Sequence, residues 1–277
     1  MKYLRFVHEL NFKVFISLVL GLGLGSHPAF AQATVKPVIG LGHSPVIIAI
    51  HDVVKTEVEE TTDIDVTQSR LTELFTYLKA QNYVSLSLED LYRAKLSHRK
   101  LPLKSFILTL DDGYMGEYLN AFPLLKKFGF KADYFVITSM VGSAGGRGFF
   151  DWNKMKEMEA TGLVRIYPHT LTHRDLTQIT DAELDHELKD SQAAVVSHLG
   201  GKRLFFSYPM TAHNPHVVEF TKRYFKMAVI GDDAPNSSEP LYELPRMVVT
   251  KYIDSVDTFA GMLKDWLNGI KVRARKK

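Results

Sequence analysis

Short continuous apolar runs alternate with helically spaced apolar residues along the middle of the chain. Pro45 to Ile50 (PVIIAI) has the length and content of a buried strand. Leu71, Leu74, Phe75 and Leu78 then repeat at the spacing of one helix face. Ser105 to Leu110 (SFILTL) predicts a second strand, followed by a helix through Phe122 to Phe128 that stops at Gly129. Ala132 to Ile137 is the next strand. A Gly-rich loop from Ser143 to Gly148 leads to Asp151, an N-cap for a helix ending at Gly162. Val164 to Tyr167 is a short strand, and Thr180 with Glu183 forms a capping box for a helix to Leu199, closed by Gly200-Gly201. Leu204 to Tyr208, Met227 to Ile230 and Met247 to Val249 complete the strands, and Asn214-Pro215 opens a helix between the first two. Phe259, Met262, Leu263, Trp266 and Leu267 line one face of a last helix.

Strands alternating with helices imply parallel strands joined by right-handed crossovers. The expected fold is α/β, a single distorted or incomplete (β/α) barrel of about seven strand-helix units. An open sheet satisfies the same pattern less well. In a barrel, chemistry gathers on the rim that follows the strands. The residues there are His51-Asp52, Asp111-Asp112-Gly113, His169 to His173, Tyr208-Pro209 and Leu244-Pro245-Arg246.

The ends of the chain have a different composition. Lys2, Arg5 and Lys13 lead into the apolar run Val14 to Leu24, and Ala29-Phe30-Ala31 is a small-residue cleavage signal. Residues 1–31 read as a secretory signal peptide; the alternative is a membrane anchor, for which the apolar run is short of the ~20 residues needed. Residues 32–270 are then the folded domain, exported to the periplasm or cell exterior with no stable membrane span. Residues 271–277 (KVRARKK) are a basic tail with five positive charges, a solvated end or a contact for an anionic surface. Of 34 Lys+Arg, three lie in 1–31 and five in 271–277, leaving 26; of 31 Asp+Glu, only Glu9 is outside 32–270, leaving 30. The sequence pI near 8.8 therefore belongs to the ends, and nothing marks a nucleic-acid partner.

There is no cysteine, so any transition metal must be held by His, Asp and Glu. Asp111-Asp112-Gly113 follows the clearest strand; Asp-Gly is a common turn pair, but two adjacent carboxylates also allow one to bind a metal and the other to act as base. His169-Thr170-Leu171-Thr172-His173 offers two imidazoles four residues apart. With one carboxylate from a neighbouring strand end they make a His-His-Asp set with open positions, suited to zinc and to other divalent metals.

Thr109-Leu110-Asp111-Asp112-Gly113-Tyr114 resembles the T-F-D-D-G motif of the NodB-type polysaccharide deacetylases, carbohydrate esterase family 4. His169 to His173 matches that family's H-[ST]-x-x-H motif, in the family's order. Phe206-Ser207-Tyr208-Pro209, Ile50-His51-Asp52-Val53 and Leu244-Pro245-Arg246 are similar to the poly-N-acetylglucosamine deacetylase branch. The resemblance implies that Asp112, His169 and His173 hold a divalent metal, zinc first, with Co2+, Mn2+, Fe2+ or Ni2+ as alternatives. It implies Asp111 as general base and the backbone N–H of Met210 as an oxyanion donor. Tyr114, Trp152, Tyr167 and Tyr208 are candidate sugar-stacking walls.

Three departures stand out. Ser207 occupies the place where many family members carry an Arg that pairs with the catalytic Asp, and Arg246 is the candidate replacement. Met210-Thr211 replaces the usual aromatic-Gly pair. No histidine follows His216, so the family's C-terminal general acid is missing, and His51, His213 or Asp111 must be considered, His51 first. The resulting expectation is an N-deacetylase of a GlcNAc-containing glycan, peptidoglycan ahead of poly-β-1,6-GlcNAc. A catalytically silent glycan-binding relative is the alternative.

Overall fold

The computed structural model of the chain describes residues 44–56, 62–231, 241–270 and 272. The signal peptide expected at 1–31 lies outside them, as does the basic tail at 271–277 except for Val272. In chain order the elements are β1 (Val46–Ile50), β2 (Val53–Val54), β3 (Val66–Thr67), α1 (Gln68–Ala80), β4 (Val84–Leu86), α2 (Leu88–Leu96), β5 (Ser105–Asp112) and α3 (Phe122–Phe128). They continue with β6 (Ala132–Val136), α4 (Trp152–Ala160), β7 (Val164–Pro168), α5 (Asp181–Leu199), β8 (Phe205–Ser207), α6 (Pro215–Tyr224), β9 (Met227–Val229), β10 (Met247–Val248) and α7 (Val256–Leu267).

The strands run parallel in the order β10-β1-β5-β6-β7, with β4 on the lower half of β5 and β8 paired to β9. A bridge from Val229 to Leu244 links β9 to the segment entering β10. The circle is therefore closed except between β7 and β8. There side chains span the gap: Arg203 donates to the Ile166 carbonyl (2.9 Å), and His169 Nδ1 donates to the Ser207 carbonyl (2.7 Å). This is the distorted barrel of about seven strands that the sequence pattern predicts.

The expected caps form. Asp151 accepts from the Lys154 amide, Thr180 and Glu183 close a capping box, and Asn214 caps α6 with Pro215 in its first turn. The pattern did not reveal the two-residue β2–β3 ribbon, β4, or α2, which has its own capping box from Ser87 and Asp90. These pieces are too short, or too polar on one face, to give a period.

Strand alternation sorts the core. Val46, Ile48, Phe106, Leu108, Tyr134 and Ile166 pack outward against helices in the larger cluster. Ile47, Ile107, Phe135, Tyr167, Phe205 and Leu244 face the barrel interior, where Leu88 and Leu91 of α2 plug the end at which the strands begin. One rung higher on the same inward faces stand Thr109, His169, Ser207 and Arg246, each two residues beyond an interior hydrophobe. The polar site is the top layer of the core.

Candidate active site

Asp111 and Asp112 end β5 as paired strand residues opposite Phe135 and Val136, rather than forming a turn. Asp111 shares the inward side with Thr109, and both meet Arg246. Arg246 donates Nη1 to Asp111 Oδ1 (2.8 Å), Nη2 to Asp111 Oδ2 (2.7 Å) and Nη1 to Thr109 Oγ1 (3.1 Å). Its Nε is taken by the Ile230 carbonyl (3.1 Å), and Nη2 also reaches Ser207 Oγ (3.0 Å). Ser207 Oγ donates to Asp111 Oδ2 (3.0 Å). Burial pushes the Asp111 carboxyl upward, but Arg246, with His169 and His51 nearby, outweighs it and holds the group well below the usual carboxylate range. Oδ2 accepts two hydrogen bonds and Oδ1 one, so Oδ1 keeps a lone pair.

Asp112 turns the other way at φ 86, and its Oδ1 faces both imidazoles: 3.6 Å from His169 Nε2 and 3.4 Å from His173 Nε2. One ligand atom from each of the three lies within 4.8 Å of the others. Asp112 Oδ1 is buried without a hydrogen-bond partner, the condition of an atom that awaits a cation. Burial raises the Asp112 carboxyl to about 6 and lowers both histidines, His169 to about 3, so the rings are neutral donors. The His169 Nδ1–H bond to Ser207 leaves Nε2 to bind. The donor set therefore fits a divalent metal with hard or borderline character.

Two glutamates hold the ligand loops, and sequence reasoning missed both. Glu117 Oε1 accepts from the Gly113 (3.0 Å) and Tyr114 (2.9 Å) amides. Glu187 Oε2, on α5, accepts from the Leu171 (2.9 Å) and Thr172 (2.8 Å) amides, and its other oxygen accepts from the Thr172 hydroxyl. These ties sit beside strained backbone. Asp112, Thr170, His173, Met210 and Thr211 all have positive φ, each costing on the order of 1–3 kcal/mol unless its surroundings impose it.

The remaining expected residues divide. His51 is close enough to bias both carboxylates downward, and its Nδ1 is buried without a partner. His213 is engaged by the Thr211 carbonyl (2.7 Å) and Glu243 (3.3 Å). Met210 is exposed in the tight turn Pro209–Thr211, at φ 53. Tyr114 borders Asp112, whose charge together with burial raises the phenol's pKa. Tyr208 and Tyr167 cannot be stacking walls: at 1% and 4% exposure both rings are buried, Tyr167 in the barrel interior and Tyr208 on the outer face of β8 against Phe206 and α6. Trp152 is not brought to the cluster. It stacks on His198 (4.2 Å, 7°), eleven residues along α5 from Glu187, a separation of about 16 Å in a helix.

The chain is similar to known deacetylases. The chain is 26% identical over 226 residues to the poly-beta-1,6-N-acetyl-D-glucosamine N-deacetylase of Staphylococcus aureus, covering 75% of this chain and 74% of that one. YxkH of Bacillus subtilis, named as a candidate polysaccharide deacetylase, is 27% identical over 176 residues; the match covers 63% of this chain and 62% of YxkH, under two thirds of its length. Among solved structures, the Streptococcus pyogenes deacetylase PplD in complex with acetate superposes with a TM-score of 0.72 at 25% identity, over 78% of this chain and 96% of PplD. Residues 98–226, which carry both carboxylates, both histidines and both glutamates, match the family described as polysaccharide deacetylase.

Proposed function

We propose that this chain is an exported, divalent-metal-dependent hydrolase that removes N-acetyl groups from a GlcNAc-containing extracellular glycan. The observation that carries the reading is the division of labour between adjacent carboxylates: Asp111 locked on Arg246, and Asp112 Oδ1 unpartnered before two neutral imidazoles. Poly-β-1,6-GlcNAc replaces peptidoglycan as first substrate, because the S. aureus relative matched over 75% of this chain is named for that polymer.

Asp112, His169 and His173 would hold the metal, zinc first. When bound, it supplies Lewis-acid polarisation of the acetamide carbonyl and acidifies a water that attacks it. Asp111 takes the water's proton on Oδ1, the oxygen with a spare lone pair. Arg246 and Ser207 fix that carboxylate's plane, so no orientation is lost at the moment of transfer. The Met210 N–H donates to the developing oxyanion, and the positive φ of Met210 aims that turn. His51 delivers a proton to the departing amine, giving acetate and a free amino sugar. Tyr114 lies against the acetamide.

Acetate release from poly-β-1,6-GlcNAc oligomers, peptidoglycan and acetylxylan, with metal content measured in parallel, tests the reading. Activity on the first that chelation and Asp111→Asn both abolish supports it. Metal-loaded protein releasing no acetate from any of the three would make it a silent glycan-binding relative.

A further inference from the structure

The barrel end opposite the Asp111–Asp112 mouth carries a charge pattern the reaction does not use. Residues 32–270 hold 26 Lys+Arg against 30 Asp+Glu, a net −4, yet four strands, β5, β6, β8 and β9, are entered through cations. Lys104 immediately precedes β5, Lys131 precedes β6 and Lys226 precedes β9, while Lys202 stands three residues before β8. The link from α2 to β5 adds Arg99 and Lys100, and residues 91–110 contain five Lys or Arg and no acid. Lys131 is bound to Asp90 (2.8 Å). Arg99, Lys100, Lys202 and Lys226 are exposed and have no acidic partner among the described residues. Cations at helix C-termini, such as Lys79 and Arg93, complement helix dipoles. Lys104 donates to the carbonyl of Gln81, the C-cap of α1 (3.2 Å), whereas Lys202 and Lys226 follow the C-caps of α5 and α6, Gly200 and Phe225, with their side chains exposed.

Exposed apolar side chains share this end. Leu96, the last residue of α2, is 62% exposed; Ile270, just past α7, is 51% exposed; Val84, which opens β4 opposite Ser105, is 41% exposed. A soluble polyanion would engage the cations and leave these three in water. A bilayer engages both, with Lys and Arg against acidic headgroups and apolar tips at the acyl boundary. The chain on either side also joins here: Ser44 stands just before β1, and α7 descends antiparallel to the strands before Val272.

We infer that the α2 floor of the barrel docks on an anionic lipid bilayer through Arg99, Lys100, Lys202 and Lys226 around Leu96 and Ile270, with the Asp111–Asp112 mouth turned away from it. The inference does not depend on the reaction.

The test is sedimentation of the full chain with vesicles of neutral phosphatidylcholine, or of the same lipid with phosphatidylglycerol added. Binding should require the acidic lipid and weaken as salt rises past ~0.1 M. Arg99→Glu/Lys100→Glu/Lys202→Glu should lower that affinity about tenfold or more, with circular dichroism unchanged. Leu96→Asp should weaken binding at all salt concentrations. An apolar N-terminal run inserting by itself would act equally on neutral vesicles and in every variant, so the acidic-lipid difference is the readout. Equal binding by wild type and the triple variant overturns the inference, as does retention on a soluble polyphosphate but not on vesicles.

Discussion

Arg246 and Asp111 are 135 residues apart and form a two-bond fork at 2.8 and 2.7 Å, with only 3% and 2% of each residue exposed. Ser207, at the position where a family Arg is usual, is small enough to leave room for this guanidinium and hydrogen-bonds both partners. Arg246 thus reaches the carboxylate from the β10 entrance rather than from the end of β8.

Arg246→Lys is therefore expected to lower kcat/KM for acetate release by about 100-fold, because one ammonium cannot hold both carboxylate oxygens. The acidic limb of the pH profile should move to higher pH. Arg246 lowers the Asp111 pKa, and weakening it lets the base protonate at less acidic pH. Arg246→Ala should instead destabilise the fold by about 3–5 kcal/mol, since it leaves a buried carboxylate unpaired. Thermal unfolding beside the kinetics separates the two effects.

Glu187→Gln and Glu117→Gln should each weaken metal binding by about 10–100-fold, by loosening the loops that present His169, His173 and Asp112. Competition with a coloured chelator measures it. Unchanged affinity in both variants would show that the loops hold their strained conformations without these carboxylates.

The strands and caps were legible because each rests on a local signal: an apolar run, a capping box, a Gly stop. Asp111, Asp112, His169 and His173 were legible because they sit at the ends of such runs. Glu117 and Glu187 were not, because a charged residue within a helical stretch reads as solvent-facing; only burial at 0% and 3% reveals their role. Tyr208 failed in the opposite sense. Its place beside a strand end suggested the rim, but it lies on the outward side of β8, beside Phe206 in the cluster that also holds Phe225. Arg246 could be nominated from its strand-end loop, but its fork with Asp111 depends on the barrel closing through Leu244.

Asp133 supplies a pH test away from the metal ligands. It lies on β6 inside the barrel floor, accepts the Leu88 amide (2.7 Å), and is raised to about 7 chiefly by burial. Between the ordinary 3.8 and about 7 the folded state holds a proton that the unfolded state has released. Stability attributable to this group must fall as pH rises through that window and level off above it, with a slope of at most about 1.4 kcal/mol per pH unit. Asp133→Asn should remove that fall, raising Tm at pH 8 relative to wild type more than at pH 4. Parallel Tm–pH curves would refute the assignment.

Two glycines give the same substitution opposite signs. Gly116 has an ordinary helical φ of −63, so its backbone tolerates alanine. A Cβ there would stand 2.1 Å from Asp52 Oδ1 and 2.5 Å from the Val53 carbonyl, and neither can retreat easily. Asp52 is bound to Arg147 of the Gly-rich loop (3.3 Å), and the Asn120 amide donates to the Val53 carbonyl (2.6 Å). Gly116→Ala should therefore cost about 1–3 kcal/mol or more and reduce activity, because the displaced segment carries His51. Gly261, in α7, has no positive φ, and an added methyl would meet nothing within 4 Å. Gly261→Ala should stabilise by about 0.5–1 kcal/mol through helix propensity alone, with kcat unchanged. Denaturant unfolding of both variants measures the pair; a neutral Gly116→Ala would mean that Asp52 and His51 can move aside without cost.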